Sequence, residues 1–193
     1  NAGIVSDYVF RGVSQSNREI AFQGGVDYSF GDSGFYTGAW GSNVDFQDMT
    51  GPNIELDLYV CYNADLTENL NLDVMFTRYT YHGSNIGNGD YNELITKLAM
   101  NDVATLTVGY TNDYSNTGEN VTYVNLGNSW DLGNEYSLNA GFGRTFADFG
   151  DYNDWNVGVS KTFGALEFGL NYYDTNLNFN ASDSVVLSVK VGG

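Results

Sequence analysis

Asn53-Ile54-Glu55-Leu56-Asp57-Leu58-Tyr59-Val60-Cys61-Tyr62 is the stretch that decides the fold. Ile54, Leu56, Leu58, Val60 and Tyr62 fall on one side of a two-residue period; Glu55, Asp57, Tyr59 and Cys61 fall on the other. A helix would scatter both sets, because its side chains repeat every ~3.6 residues. A strand sorts them, since successive side chains point to opposite faces. One face is greasy and the other carries carboxylates.

The alternation recurs along the chain. Leu70, Leu72, Val74 and Phe76 oppose Asn71 and Asp73. Leu166, Phe168, Leu170 and Tyr172 alternate with Glu167, Gly169, Asn171 and Tyr173. Val185, Leu187, Val189 and Val191 alternate with Val186, Ser188 and Lys190. Turn signals divide the chain into about twelve such segments. They run over 2–14, 18–31, 34–46, 53–64, 68–82, 90–100, 103–114, 120–131, 135–147, 152–163, 165–176 and 183–191. Tight connections at Gly31 to Gly34, Asp65 to Asn69, Asn101-Asp102, Asp131 to Glu135 and Gly164-Ala165 alternate with longer or more polar ones. The latter are Gln47 to Pro52, Gly83 to Gly89, Ser115 to Glu119, Asp148 to Asp151 and Asn176 to Ser182. The first connection, Ser14 to Asn17, reads as a tight turn.

Composition agrees: among 193 residues there are 15 Tyr, 12 Phe, 3 Trp and 24 Gly but 1 Pro, a balance that favours strands and tight turns. No run approaches the ~18 to 20 apolar residues of a membrane helix. A membrane-spanning chain of this pattern must therefore close into a barrel. The expected fold is all-β: one domain over residues 1–193, an antiparallel up-and-down transmembrane barrel of about 12 strands with both termini periplasmic. The competing reading is a soluble β-sandwich or ligand-binding barrel with an aromatic core. No leader precedes Asn1, as expected if a signal peptide has been removed or never existed.

Aromatics cluster near the segment ends. Phe30, Phe35 and Tyr36 bracket one short turn, Trp130 and Tyr136 a second, Phe163 and Phe168 a third. Phe46, Tyr79, Tyr81, Tyr114, Phe146, Phe149, Tyr152 and Trp155 lie toward the opposite ends. Two such rings match the interfacial girdles of a membrane barrel.

Several blocks carry a family resemblance: Ser6-Asp7-Tyr8-Val9-Phe10-Arg11-Gly12-Val13-Ser14-Gln15, Ala21 to Tyr28, Gly34 to Trp40, Glu55 to Tyr59, and Asp151 to Trp155. Together they resemble the TorF family of proteobacterial porin-like proteins, with the opening block the most specific part. The resemblance implies an outer-membrane barrel with a signal peptide, whose substrates in that family are mostly unestablished. The family's name implies an association with trimethylamine N-oxide metabolism. The ending Val189-Lys190-Val191-Gly192-Gly193 lacks the terminal aromatic usual in such barrels.

Charge narrows the function. The chain has 24 Asp and Glu against 7 Lys and Arg, a net charge of −17, which disfavours nucleic acid as a partner. With the greasy faces toward lipid, the opposite residues line a lumen. The candidate lumen and selectivity residues are Asp7, Arg11, Asp27, Asp45, Glu55, Asp57, Asp73, Glu93, Lys97 and Glu167, joined by Lys190 and several Asn. An acidic lumen favours cations. Asp7 with Arg11, and Glu93 with Lys97, share a face four residues apart and read as bracing pairs. Tyr59, Tyr123 and Tyr173 are assigned inward, where they could constrict the path. About twelve strands lies between the filled eight-stranded barrels and the wide sixteen-stranded ones.

The expected function is an outer-membrane channel for passive diffusion of small polar solutes, biased toward cations or dipolar compounds. The alternative is a plugged barrel serving as a structural or surface-recognition element. The expected location is the bacterial outer membrane, with the lipid bilayer and small polar solutes or cations as partners. No enzyme activity, cofactor or metal is expected. His82, the single histidine, has no nucleophile motif beside it. Asp148, Asp151 and Asp154 fail the EF-hand spacing and read as a solvated loop. Gly141-x-Gly143 lies within a strand and is no phosphate loop. Cys61, alone, reads as a small wall residue.

Overall fold

The structure, a computed structural model, describes residues 1–46, 51–83, 89–101, 103–177 and 183–192. Its strands in chain order are β1 (Ala2–Val5), β2 (Val9–Phe10), β3 (Val13–Ser14), β4 (Ala21–Ser29), β5 (Phe35–Asn43), β6 (Ile54–Thr67) and β7 (Leu70–His82). Then come β8 (Tyr91–Met100), β9 (Ala104–Tyr114), β10 (Glu119–Gly133), β11 (Tyr136–Ala147), β12 (Tyr152–Phe163), β13 (Leu166–Thr175) and β14 (Ser184–Val191). β1 and β4 to β14 form a closed barrel in which each strand pairs antiparallel with its neighbours, and β1 seals it by pairing with both β14 and β4. These are the twelve strands that the alternation predicts. Ala2 pairs with Val191, so both termini lie at one end, with the short turns. The connections at 47–52, 83–89, 101–102 and 176–182 fall partly outside the described residues.

Burial is inverted relative to a soluble protein. Val26, Val60, Leu126, Phe142, Val185 and Leu187 are exposed, whereas Glu55, Asp57, Glu93 and Asp154 are buried. A greasy exterior of this extent suits a lipid solvent, not water. Closure leaves no barrel edge with unpaired backbone groups.

The opening segment departs from expectation. The predicted strand over 2–14 is interrupted after Val5, and the chain between Val5 and Ala21 forms a separate two-stranded hairpin, β2 with β3. It is not part of the barrel wall. Phe10 pairs with Val13, leaving Arg11 and Gly12 as a two-residue tip with φ of 49° and 78°. Two left-handed residues fit a tight hairpin turn, but Arg in that position is uncommon. The first connection is therefore long, like its fellows at that end.

Candidate functional site

The hairpin folds into the barrel. Arg11 Nη2 donates to both carboxylate oxygens of Glu93 on β8, at 2.8 and 2.9 Å. The guanidinium lies over the rings of Tyr123 on β10, at 4.3 Å, and Phe10, at 4.6 Å. Tyr79 on β7 donates its hydroxyl to Glu93 at 3.1 Å and stacks on Tyr91. The two side chains are 8% and 0% exposed, so this is a buried ion pair, and its worth depends on those extra hydrogen bonds and rings.

The remaining hairpin contacts circle the lumen. At Gly12 a β-carbon would fall 2.7 Å from Asp154 Cβ of β12 and 3.1 Å from Thr175 Cβ of β13, so only glycine fits there. Asp7 accepts hydroxyls from Ser14 at 2.6 Å and from Ser184 of β14 at 2.8 Å. Tyr8 meets Trp40 of β5 edge-on, with centroids 5.4 Å apart. Beyond β5, Asp45 N donates to Gln15 O at 2.8 Å. The segment thus reaches β5, β8, β10, β12, β13 and β14.

The Arg11–Glu93 contact fixes which face is inside. From Glu93 the register runs Glu93–Thr77–Tyr59–Gly38–Asp27 across β8 to β4. The next row toward the hairpin end is Tyr91–Tyr79–Asp57–Trp40. Toward the terminal end, Asn63, Asp73, Lys97, Thr107, Asn125 and Gly143 form another row. All point inward by the two-residue period. The acids concentrate on β4 to β8. The facing wall presents Asn125, Asn139, Asn156 and Asn171 among Gly and Ser, and is neutral over most of its height.

The sequence-predicted lumen residues therefore divide. Asp27, Glu55, Asp57, Asp73, Glu93, Lys97 and Glu167 stand on the inner face of the wall. Tyr59 donates to Asp27, and Tyr36 donates to Asp73 at 2.8 Å. Asp7 and Arg11 are not wall residues but belong to the inward hairpin. Asp45 lies past the end of β5, exposed, tied to the hairpin segment instead of the lumen wall. The expected pairs are exchanged: Arg11 pairs with Glu93, Asp7 is held by serine hydroxyls, and Lys97 faces Asp73 across the β7–β8 register.

Tyr36, Tyr79, Tyr81 and Tyr152 depart from the expected lipid girdle: their strand parity turns them inward, the last three beneath the hairpin and Tyr36 onto Asp73. Tyr59, Tyr123 and Tyr173 point inward as expected. No sequence signal marks the Arg11–Glu93 contact, apart from the Arg-Gly pair at a turn.

A cavity of about 190 Å³ lies beside the hairpin, lined by Asp7, Tyr8, Trp40, Asn171, Tyr173 and Lys190 among others. That is room for several waters at ~30 Å³ each. Outside the lumen, His82 faces outward with its Nε2 3.1 Å from Thr80 Oγ1. Asp148 accepts both the backbone and side-chain N–H of Asn120 at 2.9 Å, Asp151 pairs with Arg144, and Asp154 is buried inside. The three loop carboxylates do not converge. Among the described residues no group of three or more His, Cys, Asp or Glu comes together in a metal-binding arrangement.

A closed twelve-stranded barrel with a greasy exterior and a polar lumen has the architecture of a transmembrane β-barrel. Over residues 1–190 the sequence matches the profile of the family Gcw_chp, described as bacterial protein of unknown function, and the chain belongs to that family. The match is to that coarser family, and the TorF resemblance rests on the quoted blocks alone. The fold is similar to that of the NanC porin, with a TM-score of 0.68, 8% identity and 100% of each chain covered. It is also similar to the KdgM porin, at TM-score 0.64 and 9% identity over 99% of each chain. No curated protein matches the sequence.

Proposed function

We propose that the protein is a passive outer-membrane channel for small polar solutes, biased toward cations or dipolar compounds. One observation carries this reading: Asp27, Asp57, Asp73 and Glu93 project inward from neighbouring strands, opposite a wall rich in Asn whose acids, Asp154 and Glu167, stand toward its two ends. Acids on low-dielectric walls concentrate a negative field and enrich cations. The amide wall gives a dipolar solute donors and acceptors without charge. In this reading both termini face the periplasm, and the hairpin guards the outer mouth. The role is transport, with no chemical step and no nucleic-acid partner. Planar-bilayer recordings under a salt gradient test it: a cation-selective reversal potential is expected, and an anion-selective one refutes it.

A second reading, a plugged barrel with a structural or recognition role, is favoured by the hairpin and its buried ion pair. That reading predicts a silent bilayer for the intact chain, even after the hairpin is loosened.

A further inference from the structure

The chamber beside the hairpin gathers polar side chains that the fold itself leaves unbonded. Gln23, Asn171, Tyr173 and Lys190 all line it. Among the described residues none of these four side chains makes a hydrogen bond or an ion pair. Glu167 stands opposite Lys190 in the β13–β14 register, yet no ion pair joins them. Glycines make room along the wall. A β-carbon at Gly3 would fall 3.2 Å from Lys190 Cγ, and one at Gly158 would collide with the Asn171 amide.

Charge is arranged across the chamber, from one side to the other. Lys190 on β14 is its cation. Trp40 of β5 stands on the far side, beyond β1 and β4, with Tyr8 edge-on to it at 5.4 Å. Acids gather around Trp40: Asp57 of β6 is directly opposite it, and Asp27 is the next inward residue of β4 after Gly25, which Trp40 faces. Strands ~4.8 Å apart put β14 and β5 roughly 14 Å from each other along the wall, and the lysine stem and the indole both reach into that span. Between them Val5 and Val186 pack together as an apolar floor. The chamber measures about 190 Å³. At ~30 Å³ for each water displaced, it holds a solute of roughly six to eight heavy atoms.

We propose that this chamber binds a small zwitterion of the α-amino-acid class. The carboxylate goes to Lys190, with the Gln23 and Asn171 amides beside it, as a charge-assisted contact. The ammonium goes toward Trp40, whose ring face attracts a cation and whose acidic neighbours add to the field. A short apolar side chain rests on Val5 and Val186. A lone anion is opposed by the lumen acids and a lone cation by Lys190, so both charges are needed. The inference deepens the channel reading, by naming the dipolar solute, and rests on the same inward faces. Binding itself needs no current.

Tryptophan fluorescence of the full chain refolded in detergent tests it. Trp40 is the reporter, because Trp130 and Trp155 fall on the lipid-facing parity of β10 and β12. L-valine should change the emission saturably. Isobutylamine and isovalerate each keep one of its charges, and each should bind at least about tenfold more weakly, the loss of one contact to a charged group. Lys190→Met, which keeps the stem, should weaken L-valine by a similar factor, whereas an Asp148→Asn/Asp151→Asn loop control should not. No saturable change with L-valine, or unchanged affinity in Lys190→Met, overturns the site. Isobutylamine or isovalerate binding as tightly as L-valine overturns the zwitterion. If Lys190→Met does not refold, the three-solute series on the wild type decides alone. A silent bilayer beside the expected series sinks the channel and keeps the site; cation-selective current without saturable binding does the reverse.

Discussion

Arg11 and Glu93 stand 82 residues apart in sequence, yet they meet at 2.8 Å inside the barrel. One sits at the tip of a hairpin that belongs to no wall, the other on the inner face of β8. The pair holds Arg11 in a left-handed backbone conformation that costs an L-residue roughly 1–2 kcal/mol. A backbone outlier of this kind persists only where its surroundings hold it. Here the bidentate carboxylate and the Tyr123 ring do so. In the proposed channel, that bond is what holds the hairpin inside the barrel.

Glu93→Ala should release the hairpin. Breaking a buried ion pair in place costs about 3–5 kcal/mol, because one charge is left unpaired. Arg11 can avoid that cost by swinging out to water. The expected outcome is a larger single-channel conductance with a stability loss smaller than that range, read by bilayer recording and denaturant titration. Arg11→Met with Glu93→Leu should recover most of the lost stability.

Gly109→Val should act on the same pair without touching its charges. A β-carbon at Gly109 would fall 2.8 Å from Glu93 Oε1 and 2.9 Å from Arg11 Nη2. Overpacking of this kind costs typically about 1–3 kcal/mol. The expected result is conductance raised toward that of Glu93→Ala, with normal folding into the barrel by circular dichroism.

The wall was legible in the sequence and the hairpin was not. Alternation at Ile54 to Tyr62 carries its own answer, because inside and outside demand opposite chemistry at every second residue. The opening block keeps a similar surface pattern, with Asp7 and Arg11 four residues apart, but a hairpin has the same two-residue period as a wall strand. Only the Arg11-Gly12 tip distinguishes the two, and Arg is an unusual residue there. The same blindness misplaced Tyr79 and Tyr81. An aromatic near a strand end suits a lipid girdle or a lumen constriction equally, and parity counted from a known inward residue separates them.

Val60→Arg and Asn71→Arg test the inside and outside assignment. Val60 is exposed midway along β6, and Asn71 hydrogen-bonds Asn63 and Asp65 on the inner face. Arg on the lipid face near the midplane costs about 2–4 kcal/mol. The lumen variant should lose far less, since its charge meets Asp65 and Asp73. Equal losses in lipid refolding titrations would mean the faces are exchanged.

Asp148 should titrate below the ordinary aspartate value of about 3.9. The backbone N–H of Asn120, then its side-chain amide, donates to the carboxylate and favours the charged form. A depressed folded value means that the contact stabilises the loop above the unfolded value and is lost as pH falls through the folded one. Carboxyl-carbon NMR on labelled protein reads the midpoint directly. Asn120→Ala should raise it toward normal without abolishing the shift, because the backbone donor stays.

Asp27→Asn with Asp73→Asn should weaken cation preference more than Asp148→Asn with Asp151→Asn does. Asp27 and Asp73 belong to the terminal half of the barrel, away from the hairpin, and each is hydrogen-bonded by a wall tyrosine. In the proposed channel their field acts between low-dielectric walls, which concentrate it. The loop pair is exposed, and bulk ions already damp its charge. Salt separates the two cases further. The Debye length falls from about 30 Å at 0.01 M to about 3 Å at 1 M, so the wall pair's effect should be largest in dilute salt and nearly gone in concentrated salt. Lys97, opposite Asp73, sharpens the readout. Once both acids are neutral, it is left as a lumen cation facing Asn63 and Asn125, and the reversal potential should move toward anions. A loop pair that shifts the reversal potential more than the wall pair would place selectivity at the mouth, beyond the hairpin.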